Sequence, residues 1–181
     1  MVTDDHVRQI MPHLPQAKRA AFLPFLQQAM AEFEINNPLR EAAFLAQIAH
    51  ESGEFRFMEE IWGPTGAQRR YEPPGPKAAA LGNTQPGDGK RYKGRGPIQI
   101  TGRANYRAFG RKIGIDIERH PEAAAIPSIG LHLALEYWAS RNLNELADAD
   151  DCEGITRRIN GGDNGIADRK VRLAKAKELL T

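Results

Sequence analysis

The sequence predicts a mainly helical fold broken by one small irregular or β segment, and three observations carry that prediction. Apolar residues recur at helical spacing over most of the chain. Pro and Gly fall at the ends of those stretches. One central region, residues 63–94, is instead crowded with Gly and Pro. A chain of 181 residues can bury a sizeable core in one domain, so residues 1–181 are expected to form a single domain with 63–94 as a long loop inside it.

The first long helical stretch, QAKRAAFLPFLQQAMAEF, contains Pro24, which predicts an interruption there. PLREAAFLAQIAHE opens with Pro38, suited to a first turn, and closes at Ser52-Gly53. Within it Phe44, Ile48 and Glu51 share one stripe. Residues 63–94 follow, with turn signals at Pro-Gly and Asp-Gly; a loop of that length inside a compact domain is usually functional or mobile. RYKGRGPIQIT has the Tyr, Ile and Thr of short strands or an extended turn. GRANYRAFGRKIG follows Thr101, which is placed as an N-cap. IPSIGLHLALEYWASRNLNEL reads as one long helix, with Leu131, Leu135 and Trp138 near one face. DCEGITRRING and ADRKVRLAKAKELL complete the helical set.

Composition excludes several classes of function. Charged residues make up 27% of the chain, and no apolar run approaches the roughly 18–20 residues of a membrane span, so no stable membrane insertion is expected. The N-terminal MVTDDHVRQIMPHLP lacks the basic-then-apolar pattern of a secretory signal. The expectation is synthesis in the cytoplasm, with a separate route of release for any action outside. The lone Cys152 rules out an internal disulfide, and its acidic neighbours in ADADDCEG dull it as a nucleophile. The net charge of +2 is mild. GKRYKGR and GRKIG suit an anionic partner, nucleic acid or a polymer such as bacterial wall, or simply a solvated surface. No nucleic-acid module is recognisable, so no nucleic-acid partner is expected.

The chemistry narrows by elimination. His50-Glu51 begins like a zinc-protease motif, but the second helical His is missing, and His6, His13, His120 and His132 have no ligand spacing. No metal or cofactor is expected. There is no GxSxG, Ser52 sits where a helix should break, and GKRYKGRGP lacks the order of a phosphate loop. Paired carboxylates remain. Glu51 falls at a helix C-terminus, where the dipole and partial burial both raise a carboxyl pKa, as a general acid at neutral pH requires. Glu60 lies beyond the Gly53 break, so the chain can turn between the two. Two carboxylates flanking a groove are the requirement of glycoside hydrolysis. Spacing alone favours the plainer alternative, solvated charges at helix ends, and Glu54 and Glu59 are read as surface.

Distant segments shift that balance. AHESGEF, DGKRYKGRGPIQITGRANY, DADDCEGITRRINGG and GIADRK occur in this order and together resemble the bacterial and phage branch of glycoside hydrolase family 19, from about Phe44 onward. The resemblance implies a lysozyme-like, mainly α fold (α+β in class) with two lobes and a central cleft. It implies inverting hydrolysis of β-1,4 links between N-acetylated amino sugars. On the matching positions, Glu51 is the general acid and Glu60 the general base, with the Thr101 hydroxyl holding the attacking water. Gln99, Asn105, Tyr106 and Asn160 fall on sugar-contacting positions, and Arg169 is expected to pair with acids near the cleft floor and to serve substrate binding. Tyr92 and Tyr106 offer rings for stacking on sugars, although Tyr106 reads equally well as core. Glu54 stands where the family usually has a second Gly, and IWGPTGAQ follows Glu60 where relatives have another pattern, which keeps Glu59 open as the base. The reading is a monomeric, endolysin-like hydrolase of peptidoglycan glycan strands. A chitinase or chitooligosaccharide hydrolase, a secreted antagonism effector and a non-catalytic glycan binder are the alternatives.

Overall fold

The structure is a computed structural model that describes residues 1–181. Eleven helices follow in chain order. They are α1 (Asp4–Ile10), α2 (Gln16–Glu32), α3 (Pro38–Glu51), α4 (Gly66–Arg69), α5 (Pro76–Ala80) and α6 (Asp88–Arg91). After them come α7 (Arg103–Ile113), α8 (Pro127–Ala139), α9 (Leu143–Asp148), α10 (Cys152–Asn160) and α11 (Ile166–Leu180), with a 3-10 turn at Pro121–Ala125. The chain folds as two compact units: Met1–Arg56 with Ala134–Thr181, and Phe57–Leu133. No helix is long and apolar enough to cross a membrane.

In the first unit, α3 is the central helix. Every residue from Glu41 through Ala49 is buried, and all but Glu41 and Gln47 are apolar, as a helix enclosed on every side requires. Asn37 starts it, its side chain accepting from the Arg40 N–H at 2.9 Å, and Pro38 follows at the first turn. Helix α11 packs along α3, and Phe44 meets Trp138 edge-on at 5.3 Å. The expected break at Pro24 does not occur: α2 runs through it. Pro24 and Ala20 lie on the exposed side, where the carbonyl freed by the missing N–H meets water. Burial of Phe22, Leu26 and Met30 on the other side holds the helix together.

Helix α3 ends as Ser52-Gly53 predicts. The Glu54 N–H reaches the Ala49 carbonyl at 2.8 Å and the Gly53 N–H reaches His50 at 3.2 Å, the paired closure of a Schellman motif. The Ser52 hydroxyl donates to the Ile48 carbonyl at 2.6 Å and accepts from the Phe55 N–H at 2.8 Å. Gly53, Glu54 and Phe55 are all left-handed, with φ of 55°, 62° and 58°. For Glu54 and Phe55 that conformation costs roughly 1–2 kcal/mol each. Phe55 offsets it by full burial and by stacking on Phe22 at 4.4 Å.

The second unit is built around Tyr92, Ile100, Tyr106, Ile117, Ala124 and Leu133. The expected loop at 63–94 is in fact a string of short helices, α4 to α6. Local capping organises it. Thr65 and Gln68 form a capping box, and buried Asp88 accepts from the Thr84 and Gln85 N–H groups while pairing with Arg103 at 2.6 Å. The expected strands reduce to isolated bridges, Glu59 with Arg95 and Arg95 with Ile100. Positive φ at Gly96, Gln99 and Gly102 curls the chain before a longer ladder can form. Gly102, not Thr101, precedes α7, because the Thr101 hydroxyl is turned to the Gln99 carbonyl at 2.9 Å. The single helix expected from Ile126 is two, parted at Asn142 (φ 51°), a residue that tolerates the left-handed region.

Candidate active site

In the first unit the candidate acid, Glu51, is the last residue of α3, with its side chain 26% exposed. Arg169 on α11 is almost fully buried beneath it. One terminal nitrogen of its guanidinium donates to Glu51 Oε1 and the other to the side-chain oxygen of buried Gln47. Gln47 and Glu51 stand one turn apart on α3, so a single planar fork spans both. The sequence offers a helix end and partial burial around Glu51; the structure adds a buried positive charge in direct contact. Arg169 thus pairs with one acid, Glu51, and with the Gln47 amide, and its burial sets it apart from the substrate-binding role expected of it. Its Nε is buried without a hydrogen-bond partner.

Asn160 is exposed at the end of α10. Its amide is engaged by its own loop, donating to the Asn164 carbonyl and accepting from the Gly162 N–H, both at 2.9 Å. Glu54, read as surface, is a correction: it is 2% exposed. Its carboxylate accepts from the His13 backbone at 2.6 Å, meets the His13 ring at 3.0 Å, and pairs with Arg172 at 3.1 Å. Burial pushes this carboxyl up, but the His13 and Arg172 interactions outweigh it and hold it below its ordinary value. Cys152 is buried, and burial first, then the charge of Asp150, pushes its thiol up against the pull of Thr156 and nearby cations.

In the second unit Glu60 is held by neutral donors. The Gly94 N–H donates to Oε2 at 2.9 Å and the Gln68 amide to Oε1 at 2.9 Å, while the Glu60 N–H donates to the Gly94 carbonyl at 2.8 Å. Glu59 differs sharply. Its carboxylate is paired with Arg95 at 2.9 Å and Lys93 at 3.3 Å. Burial pushes this carboxyl up, but Arg95 and Lys93 together outweigh it and hold it below its ordinary value. Glu59 is committed to an ion-pair cluster; Glu60 is oriented without one.

Gln99, Thr101 and Asn105 are linked to Glu60 through short contacts. Gly94 lies so close to Gln99 that a Cβ there would sit 2.6 Å from the Gln99 side-chain oxygen. The Gln99 amide donates to the Phe57 and Gly96 carbonyls at 2.7 and 2.9 Å, which leaves its oxygen as the group with free capacity. Thr101 donates to the Gln99 carbonyl, and the exposed Asn105 donates to the Thr101 carbonyl at 2.8 Å. Tyr106 is not in this group. Fully buried, its hydroxyl donates to the Lys93 carbonyl at 2.7 Å and its ring packs on Tyr92 at 5.4 Å. Burial pushes its phenol up to about 12. Both Tyr106 and Tyr92 are core residues, and the sugar contacts expected of them are corrected on that ground.

Sequence reasoning missed three residues beside the candidates. Gln47 is a polar residue one turn before Glu51 in an otherwise apolar run, a legible sign of a buried partner. Gln68 closes the Thr-Gly-Ala-Gln capping box, also legible. Trp62, shortly after Glu60, is partly exposed, with its ring 6.3 Å from Tyr71. Burial, then the charge of Glu60, raises the Tyr71 phenol.

Comparison with known proteins decides the family. The profile described as Chitinase class I, of glycoside hydrolase family 19, matches residues 23–159. A Haemophilus influenzae protein named as containing a glycosyl hydrolase family 19 domain is 36% identical, over 97% of this chain and 95% of that one. The chain belongs to glycoside hydrolase family 19. This family 19 member is a glycoside hydrolase, with the lysozyme-like, mainly helical fold of its structural neighbours. Its fold resembles that of chitinase C from Streptomyces griseus, with a TM-score of 0.75 and 22% identity, covering 99% of this chain and 76% of that one. An endochitinase from Arabidopsis thaliana is 39% identical over 67% of this chain, but the match spans only 39% of the plant protein. The family profile includes Glu51, Glu60, Gln99, Thr101 and Asn105 and stops before Asn160 and Arg169.

Proposed function

We propose that this enzyme hydrolyses β-1,4 links between N-acetylated amino sugars with inversion, and that its polymer is the glycan strand of peptidoglycan. Glu51 protonates the leaving oxygen. Glu60 activates water, with Thr101 helping to hold it. Gln99 and Asn105 present amide groups to acetamido and hydroxyl groups, Asn160 adds an amide from its loop, and Trp62 offers a ring to a sugar face. The observation that carries the assignment of the base is the contrast between neighbours: Glu59 is bound to two cations, whereas Glu60 is aimed by Gly94 and Gln68. A base must be free to take a proton, and a carboxylate locked between Arg95 and Lys93 is poorly placed to do so.

The preference for peptidoglycan is supported by exposed Arg69, Arg70 and Lys77, which outnumber the one carboxylate, Glu72, around one hollow of the second unit. Those charges suit the carboxylates of peptide stems, which chitin lacks. The cleavage of chitin oligomers is the second reading, favoured by relatives and neighbours named as chitinases. Such an enzyme, made in the cytoplasm and acting as a monomer after release, fits the endolysin reading. Digestion of purified peptidoglycan and of chitin oligomers, with products identified by mass and new reducing end, separates the two. Release from peptidoglycan alone, abolished by Glu51→Gln, supports the proposal. Cleavage of chitin oligomers alone hands the function to the second reading, and retention of full activity in Glu51→Gln refutes the acid.

A further inference from the structure

Helices α3 and α11 meet through an interlocked row of polar side chains. On α3 and its closing turn the row is Gln47, His50, Glu51 and Glu54; on α11 it is Asp168, Arg169 and Arg172. Gln47, His50 and Glu51, like the three residues of α11, follow the three- and four-residue spacing that places side chains on one helical face, and Glu54 joins them from the left-handed turn beyond the end of α3. Arg169 serves Gln47 and Glu51. Arg172 donates to Asp168 at 2.7 Å and to Glu54 at 3.1 Å, and Asp168 also meets the His50 ring at 2.7 Å. His13, from the link between α1 and α2, closes the far side of Glu54.

Glu54 is unusual on every count. It is a charged residue, almost fully buried, in a left-handed conformation, in the turn that directly follows Glu51. Glycine would occupy φ 62° without strain. A strained, buried carboxylate persists only where its surroundings hold it. Here three donors on two separate segments do so.

We propose that Glu54, clamped by Arg172 and His13, is a positioning residue for the acid: it locks the turn that ends α3 and so aims Glu51 at the leaving oxygen. This inference rests on the reading of Glu51 as the general acid. Loss of the clamp lets the left-handed turn relax, and the end of α3 moves with it. Substrate binding does not depend on that aim, but proton delivery does. Misplacement by about an ångström can cost up to about 100-fold in rate.

The test uses peptidoglycan-derived oligosaccharides bearing aryl leaving groups of high and low pKa, or the matching chitooligosaccharides where digestion shows chitin to be the polymer cut, with kcat and KM measured for each. Proton donation matters for a poor leaving group and little for a good one. For Glu54→Gln the expected result is a kcat about tenfold lower on the poor leaving group, about twofold or less on the good one, and little change in KM. Arg172→Met should show the same split, and it decides the matter if Glu54→Gln does not fold. An equal loss on both leaving groups, no loss, or failure of both variants to fold overturns the proposal, because the cluster would then be merely structural. Glu51→Gln is measured alongside. If it shows the split and the clamp variants do not, only the clamp is wrong. If Glu51→Gln itself shows no split, the acid reading falls and the clamp falls with it.

Discussion

Replacing Gly94 with Ala adds one methyl group at the junction of two candidate site residues. The new Cβ would lie 2.6 Å from the side-chain oxygen of Gln99, where ordinary contact begins near 3.4 Å. The Gln99 amide must retreat by most of an ångström. It cannot do so and keep both of its hydrogen bonds, to Phe57 at 2.7 Å and Gly96 at 2.9 Å. Each is worth about 0.5–1.5 kcal/mol net, so losing one or both costs about 0.5–3 kcal/mol in stability. For a chain of this size that lowers the midpoint of thermal unfolding by several degrees, at about 2–4 °C per kcal/mol. The backbone bonds between Gly94 and Glu60 survive the change, but the surface that Gln99 shares with the base does not. Turnover should fall about 10- to 100-fold. Gly66→Ala is the control, since a Cβ there meets nothing within 4 Å. Thermal unfolding and sugar-release assays on both variants make the comparison. If Gly94→Ala matches Gly66→Ala in stability and rate, the contact between Gln99 and the Gly94 segment does not shape the site.

Other outcomes follow from the same geometry. Arg169→Met leaves Gln47 and Glu51 without their shared donor; it should cost about 2–4 kcal/mol in urea unfolding, discounted for the partial exposure of Glu51, and abolish most turnover. Glu54 and Asp88 are held below their ordinary values of 4.5 and 3.8, so each contributes stability that is present above those values and lost as pH falls through the lowered ones. Thermal midpoints should therefore drop steeply below about pH 4, and Glu54→Gln should flatten part of that drop; an unchanged profile would contradict it. Cys152→Ala should leave turnover intact, because the thiol is buried and pushed up in pKa, and thiol reagents should react with the protein only after unfolding.

Local chemistry was readable wherever a residue acts through its own neighbours in the chain. Pro38 and the Ser52-Gly53 pair marked the two ends of α3, because caps and left-handed closures are decided within a few residues. The helical period was legible for α2, α3 and α11 for the same reason. The candidate carboxylates were named from one stretch, and the spread motifs pointed to the family to which the chain belongs.

Other features depend on groups far apart in sequence, and there the tertiary structure decided. Pro24 did not stop α2, because burial of Phe22, Leu26 and Met30 outweighs one missing hydrogen bond. Tyr92 and Tyr106 became core rather than sugar platforms, since a ring's exposure depends on what packs over it. Glu59 and Glu60 are indistinguishable as adjacent letters. Only the arrival of Arg95 and Lys93 at one, and of Gly94 and Gln68 at the other, separates them. Glu54 reads as a solvated charge until His13 and Arg172 close on it from opposite ends of the chain. Periodicity and capping are short-range effects that a sequence records directly, whereas the partner of a buried charge is supplied by the fold.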